Sequence, residues 1–146
     1  MKLIFLDIDG VMTSNADRKS SHNEGKTYPF SSACVEVLNR ILDSTQARII
    51  LTSSWRTVFS AEKQDRIFNE NGVKQTPKGQ TPDLGYDQRS LEIETYLKHR
   101  TVENFVILDD MKLEGFDHNF VHINPSDGLT EQYVTRINEI LNTDIS

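Results

Sequence analysis

Four short apolar runs, at residues 2–8, 47–51, 105–108 and 120–123, alternate with segments whose apolar residues recur at helical spacing. Runs that are nearly continuous in Ile, Leu, Val and Phe read as strands buried on both faces. Parallel neighbours need helical crossovers, and those helices cover the sheet. The alternation therefore predicts an α/β fold: a parallel sheet of about five strands with helices on both faces.

The helical segments fill in the order. Ser31 and Ser32 can cap a helix with Cys34, Val37, Leu38, Ile41 and Leu42 on one stripe. A second is expected over about residues 60–71, closed by Gly72 in the left-handed region. Residues 73–84, with Pro77 and Pro82, are expected to be irregular apart from one short edge strand. Asp87 is expected to cap a third helix carrying Leu91, Ile93, Tyr96 and Leu97, and Thr130 a last one, with Leu129 and Val134 as a hydrophobic staple.

At 146 residues this is the length of one domain, 1–146, with an apolar fraction of 36% and a charged fraction of 26% that fit a globular chain. Acidic Asp7 and Asp9 cut the first run far too short for a membrane span, which makes a cytoplasmic protein with no membrane partner the expectation. Cys34, the sole cysteine, excludes an internal disulfide and reads as a buried thiol. The net charge of −6 is concentrated in residues 101–146, which sum to −7, and this balance disfavours sequence-blind adhesion to nucleic acid. A contact to one phosphorylated end is compatible with it. Oligomeric state has no signature in the sequence.

In open α/β sheets ligands sit beyond the carboxyl ends of the strands. Those ends carry Asp7 and Asp9, Thr52 and Ser53, and Asp109 and Asp110. Each group alone has a plain structural use, as a turn or a helix cap. Together, four carboxylates would repel one another unless a proton or cation lay between them, and all-oxygen ligands favour Mg²⁺.

The stretch Phe5-Leu6-Asp7-Ile8-Asp9-Gly10-Val11 resembles the first signature of the haloacid dehalogenase (HAD) superfamily, Leu51-Thr52-Ser53 the second and Ile107-Leu108-Asp109-Asp110 the fourth. Ser54-Trp55-Arg56, the Arg89 helix and Gly128-Leu129-Thr130 resemble the HAD domains of Swiss Army Knife RNA-repair proteins. The Ser-x-Arg element is also similar to the phosphatase half of polynucleotide kinase-phosphatases.

The resemblance implies a Mg²⁺-dependent phosphatase in which Asp7 forms an aspartyl-phosphate and Asp9 is the general acid and base. Its metal set would be Asp7, Asp109 and Asp110, with Asp9 contributing its backbone carbonyl. Thr52 or Ser53, with Ser54 as a third candidate, would hold the transferring phosphoryl, and Arg56 would donate a two-pronged contact to phosphate. The superfamily's usual third-signature Lys has no counterpart at the expected place. Arg89 stands there, in a first helical turn where its charge opposes the helix dipole, and Lys78 is the fallback. Trp55 either stacks a nucleobase or packs internally. Of the scattered His22, His99, His118 and His122, only His22 lies in the long polar loop.

Many HAD phosphatases carry a folded cap, but here residues 12–30 offer only an active-site loop in its place and residues 73–84 only a linker. Capless members admit the ends of large substrates, so the expected partner is an accessible phosphate on a nucleic-acid end or a nucleotide. The competing readings are a metal-dependent nuclease and a non-catalytic phosphoacceptor domain.

Overall fold

The computed structural model describes residues 1–14 and 26–143; His22 and most of the 12–30 loop lie outside the described residues. Five strands, β1 (Lys2–Leu6), β2 (Arg48–Leu51), β3 (Gly79–Gln80), β4 (Asn104–Asp109) and β5 (Phe120–His122), form one sheet in the order β3-β2-β1-β4-β5. Every pairing is parallel, as the buried runs predict. β3 is the short edge strand expected within residues 73–84.

Among the described residues five α-helices accompany the sheet: α1 (Ser32–Thr45), α2 (Trp55–Val58), α3 (Ala61–Glu70), α4 (Arg89–Lys98) and α5 (Val134–Asn142). One face of the sheet, including Ile4 and Leu6, packs on Leu38 and Ile41 of α1, Phe68 of α3 and Ile137 and Leu141 of α5. The opposite face, including Leu3, Phe5, Ile50 and Ile107, packs on Ile93 and Tyr96 of α4. Phe5 is fully buried and meets Tyr96 and Phe105 edge-on at 5.7 and 5.8 Å. Truncating such a side chain typically costs about 3–5 kcal/mol. Cys34 is buried, as expected.

Helix ends follow local chemistry, with two departures from the sequence reading. Ser31 caps α1 by accepting the Cys34 N–H, Ser60 caps α3, and Gly72 closes α3 at φ +79°. Asp87, however, does not cap α4: it adopts φ +62°, Gln88 occupies the cap position, and neither the cap side chain nor Asp87 supplies the bond. Leu91 is exposed while Glu92 is buried, so the buried face of α4 is rotated from the purely apolar one. Thr130 likewise makes no cap bond, because a 3₁₀ turn, Glu131–Tyr133, intervenes before α5. Among the described residues no helix is long and apolar enough to cross a membrane.

Candidate active site

The sheet's register assembles the site. Leu6 of β1 is level with Leu51 of β2 and Leu108 of β4, so the next residues, Asp7, Thr52 and Asp109, stand side by side at the C-terminal edge. The ladder continues through them: Asp7 N–H donates to the Leu108 carbonyl and Thr52 N–H to the Leu6 carbonyl, each at 3.1 Å. Because side chains alternate along a strand, these three share the face of Phe5, Ile50 and Ile107, the face covered by α4. Arg89, the first residue of α4, reaches down to them. Its Nη1 lies 2.7 Å from Asp109 Oδ2 and 3.5 Å from Asp7 Oδ2.

Asp110 joins from the turn after β4, so that carboxylate oxygens of Asp7, Asp109 and Asp110 all lie within 4.8 Å of one another. The chain between β1 and α1 turns sharply to allow this. Val11 and Met12 N–H groups both donate to the Ile8 carbonyl, and Gly10 sits at φ +85°. A Cβ on Gly10 would stand 2.5 Å from Asp110 Oδ2, so glycine is required by both backbone angle and space. Asp109 is further oriented by the Met111 N–H, 2.9 Å from its Oδ1.

Crowding sets the electrostatics. Burial pushes the Asp7 carboxyl up to about 8; the Asp109 charge and a hydrogen bond with Asp110 add to this, while Arg89 opposes it. Asp109 is also raised by burial, against the pull of Arg89. Burial works against the Arg89 cation, but Asp109 and Asp7 more than offset it and hold the guanidinium charged. Three hard carboxylates in this space fit a small divalent cation with oxygen preference, and they would bind it through side chains of Asp7, Asp109 and Asp110.

The remaining expected residues are placed differently. Asp9 is half-buried and its carboxylate is not one of the three clustered groups; Oδ1 instead accepts a hydrogen bond from the Tyr28 hydroxyl. Among the described residues Thr52 Oγ1 is buried with no hydrogen-bond partner, whereas Ser53 Oγ accepts the Trp55 N–H at 3.3 Å. Of the two hydroxyls, that of Thr52 is the one the local backbone does not already use.

Arg56 is held elsewhere. Its guanidinium donates to the Ser53, Thr81 and Pro82 carbonyls and to Thr81 Oγ1, and pairs with Glu92 at 3.2 Å, with both side chains buried. None of these acceptors belongs to the carboxylate cluster. The arginine ties the turn after β2 to α4, the helix that carries Arg89. Lys78 is remote, its Nζ against Met1 Sδ at the start of β1, opposite the Asp7 end. Trp55 is packed among Tyr28, Phe30, Phe59 and Phe68, which corrects the base-stacking alternative.

Two contributors lay outside the expected set. Tyr28 follows a polar stretch with no period to single it out. Glu92 was visible in principle, because it lies four residues before Tyr96 on the same helical face.

A five-stranded parallel sheet with carboxylates gathered at the C-terminal edge of its central strands defines an α/β domain of the Rossmann-like class with an acidic, cation-ready site. Residues 3–134 match the model of the HAD domain in Swiss Army Knife RNA repair proteins, and the chain belongs to that family. That membership makes it a HAD-type hydrolase domain. No curated protein and no solved structure matches the chain.

Proposed function

We propose that this domain is a Mg²⁺-dependent phosphomonoesterase that works through an aspartyl-phosphate on Asp7, acting on an accessible phosphate such as that on a nucleic-acid end or a nucleotide. The observation that carries the reading is the packing of Asp7 against Asp109, Asp110 and Arg89 at one strand edge. The description of the matching family, RNA repair, supports the choice of nucleic-acid ends.

Bound Mg²⁺ would supply the positive charge that keeps the three carboxylates ionised and offsets charge on the phosphoryl oxygens. A carboxylate oxygen of Asp7 then attacks phosphorus. As the ester P–O bond breaks, its electron pair passes to the leaving oxygen, which takes a proton from Asp9. Asp9, now a carboxylate, removes a proton from water, whose oxygen attacks the same phosphorus. The bond to Asp7 breaks, its pair returns to the carboxylate, and inorganic phosphate departs. The Tyr28 hydroxyl donates to Oδ1 of Asp9 and so orients the proposed acid-base group.

Arg89 offsets negative charge on Asp109 and Asp7 and supplies the cationic corner for the phosphoryl group. Thr52 Oγ1, which has no hydrogen-bond partner among the described residues, donates to a phosphoryl oxygen. Among the described residues no folded cap accompanies the site, and in this reading it admits a chain end.

The test is phosphate release with Mg²⁺ from 5′- and 3′-phosphorylated oligonucleotides, nucleotides and small sugar phosphates, beside Asp7→Asn and Asp9→Asn. The reading expects release that both substitutions abolish. Equal turnover by Asp7→Asn would remove the proposed nucleophile. Internal cleavage of an oligonucleotide without phosphate release would establish the nuclease reading instead.

A further inference from the structure

Beside the carboxylates lies a cleft of about 720 Å³, lined in part by Ser54 after β2, by Arg89 and by Met111 in the turn after β4. Its size suits a small organic ligand. One of its walls carries Tyr86, which is 97% exposed. A tyrosine with its ring in water contributes nothing to the core, yet it is set on a sharply turned backbone. Gly85 at φ +107° precedes it and Asp87 at φ +62° follows it. Left-handed backbone at a non-glycine residue is strained, and strain of this kind clusters at ligand-contacting sites. Met111, about half exposed at 49%, also lines the cleft, and its N–H is tied to Asp109 of the cluster. A flat ring and a polarisable thioether are suited to contacting an aromatic base.

The polar lining narrows the occupant. Arg56 and Arg89 line the cleft but are paired with Glu92 and with Asp109. Of the other charged residues there, Asp83, Asp87 and Glu114 are acids and Lys112 alone is basic. Such walls repel a second phosphate and offer acceptors to hydroxyl groups.

We infer that the cleft holds one nucleoside, the leaving group of the phosphate bound at Asp7, with its base against Tyr86 and its sugar hydroxyls toward the acidic wall. Any further polymer would run outward into solvent. This inference rests on the phosphatase reading and adds to it that only the terminal nucleoside is recognised.

Two measurements on the full chain test it. The first compares kcat/KM, with Mg²⁺, for nucleoside 5′- and 3′-monophosphates, a phosphorylated oligonucleotide, ribose 5-phosphate and a phosphoserine peptide flanked by arginines. The nucleotide is expected to exceed ribose 5-phosphate by roughly tenfold, from base stacking on an aromatic ring. Tyr86→Ala should erase most of that ratio through KM, and Tyr86→Phe should keep it. The oligonucleotide should match the mononucleotide within about threefold, since stacking with a single base sets the preference. An unchanged ratio in Tyr86→Ala, or preference for the basic phosphopeptide, overturns the inference.

The second titrates adenosine into Asp7→Asn by NMR, where shifts at Tyr86 and Met111 are expected. Their absence counts against the nucleoside cleft even if phosphate is released. Adenosine binding at Tyr86 by a protein that hydrolyses no phosphomonoester keeps the cleft and removes only the phosphatase reading.

Discussion

Arg89 Nη1 stands 2.7 Å from Asp109 Oδ2 but 3.5 Å from Asp7 Oδ2. Its primary partner is thus the carboxylate at the end of β4, and its hold on Asp7 is longer and weaker. This arrangement neutralises Asp109 without locking Asp7, which suits the nucleophile proposed above. Arg89→Ala is expected to lower kcat by roughly 10²–10³-fold, the range seen for removal of one charge-stabilising donor at a reacting centre. Arg89→Lys, a point charge without the planar fork, should recover part of it. Steady-state kinetics of the three proteins check this; equal kcat in all would remove Arg89 from the site.

Gly10 and Asp110 are coupled by space. A Cβ at Gly10 meets Asp110 Oδ2 at 2.5 Å, and the φ of +85° is itself unfavourable for alanine. Gly10→Ala is expected to destabilise the protein by about 1–3 kcal/mol and to weaken Mg²⁺ binding at the same time. Urea unfolding and a metal titration on the same variant test both. A loss of stability with unchanged metal affinity would separate Asp110 from the cation site.

The buried Arg56–Glu92 pair joins the turn after β2 to α4. Glu92 also accepts the Leu84 N–H at 2.8 Å, so removing it leaves several donors unpaired. Glu92→Ala or Arg56→Ala alone should cost roughly 3–5 kcal/mol, because either leaves a buried charge uncompensated. The double variant should cost less than the sum of the two. Additive losses in a double-mutant cycle would show that the two side chains do not act as a unit.

The raised Asp7 carboxyl has a pH consequence. A carboxyl whose folded value, about 8, lies above its unfolded one near 3.8 binds a proton more tightly in the native state. Between these values the native state holds more protons, so metal-free stability falls as pH rises through this window. Mg²⁺ should reverse the trend, because binding displaces the proton, and its affinity should climb over the same range. Thermal unfolding with EDTA and with Mg²⁺ from pH 5 to about 9 reads the two slopes. A metal-free protein that gains stability across that span would contradict the assignment.

How far the sequence carried depends on the residue. The central strands were legible because their apolar runs are nearly unbroken. β1 ends at Leu6 and not at Ile8, since Ile8 begins the turn by accepting the Val11 and Met12 N–H groups. Arg89 was legible from its awkward place at a helix start, where its charge opposes the dipole and so points to a partner elsewhere. The structure supplies Asp109 and Asp7 as that partner. Arg56 looked equally suited to phosphate from its position after β2, but its partner Glu92 lies 36 residues away and nothing local announces the pair. Asp87 and Thr130 had the chemistry of caps and lacked the geometry: one is turned to positive φ and the other precedes a 3₁₀ turn. The choice among Thr52, Ser53 and Ser54 depends on which hydroxyl the local backbone already uses, a tertiary detail: Ser53 Oγ takes the Trp55 N–H, while Thr52 Oγ1 has no partner among the described residues.

The central claim is that Asp7 carries the phosphoryl group, and it is tested most directly by trapping that group. Asp9→Asn lacks the acid-base residue that would discharge the intermediate, so with Mg²⁺ and a reactive phosphate ester it should accumulate one phosphoryl group per chain. The label should be lost to hydroxylamine, and reduction with borohydride should convert Asp7 to homoserine in the peptide map. Label absent from the protein, or carried by any residue other than Asp7, would contradict the account.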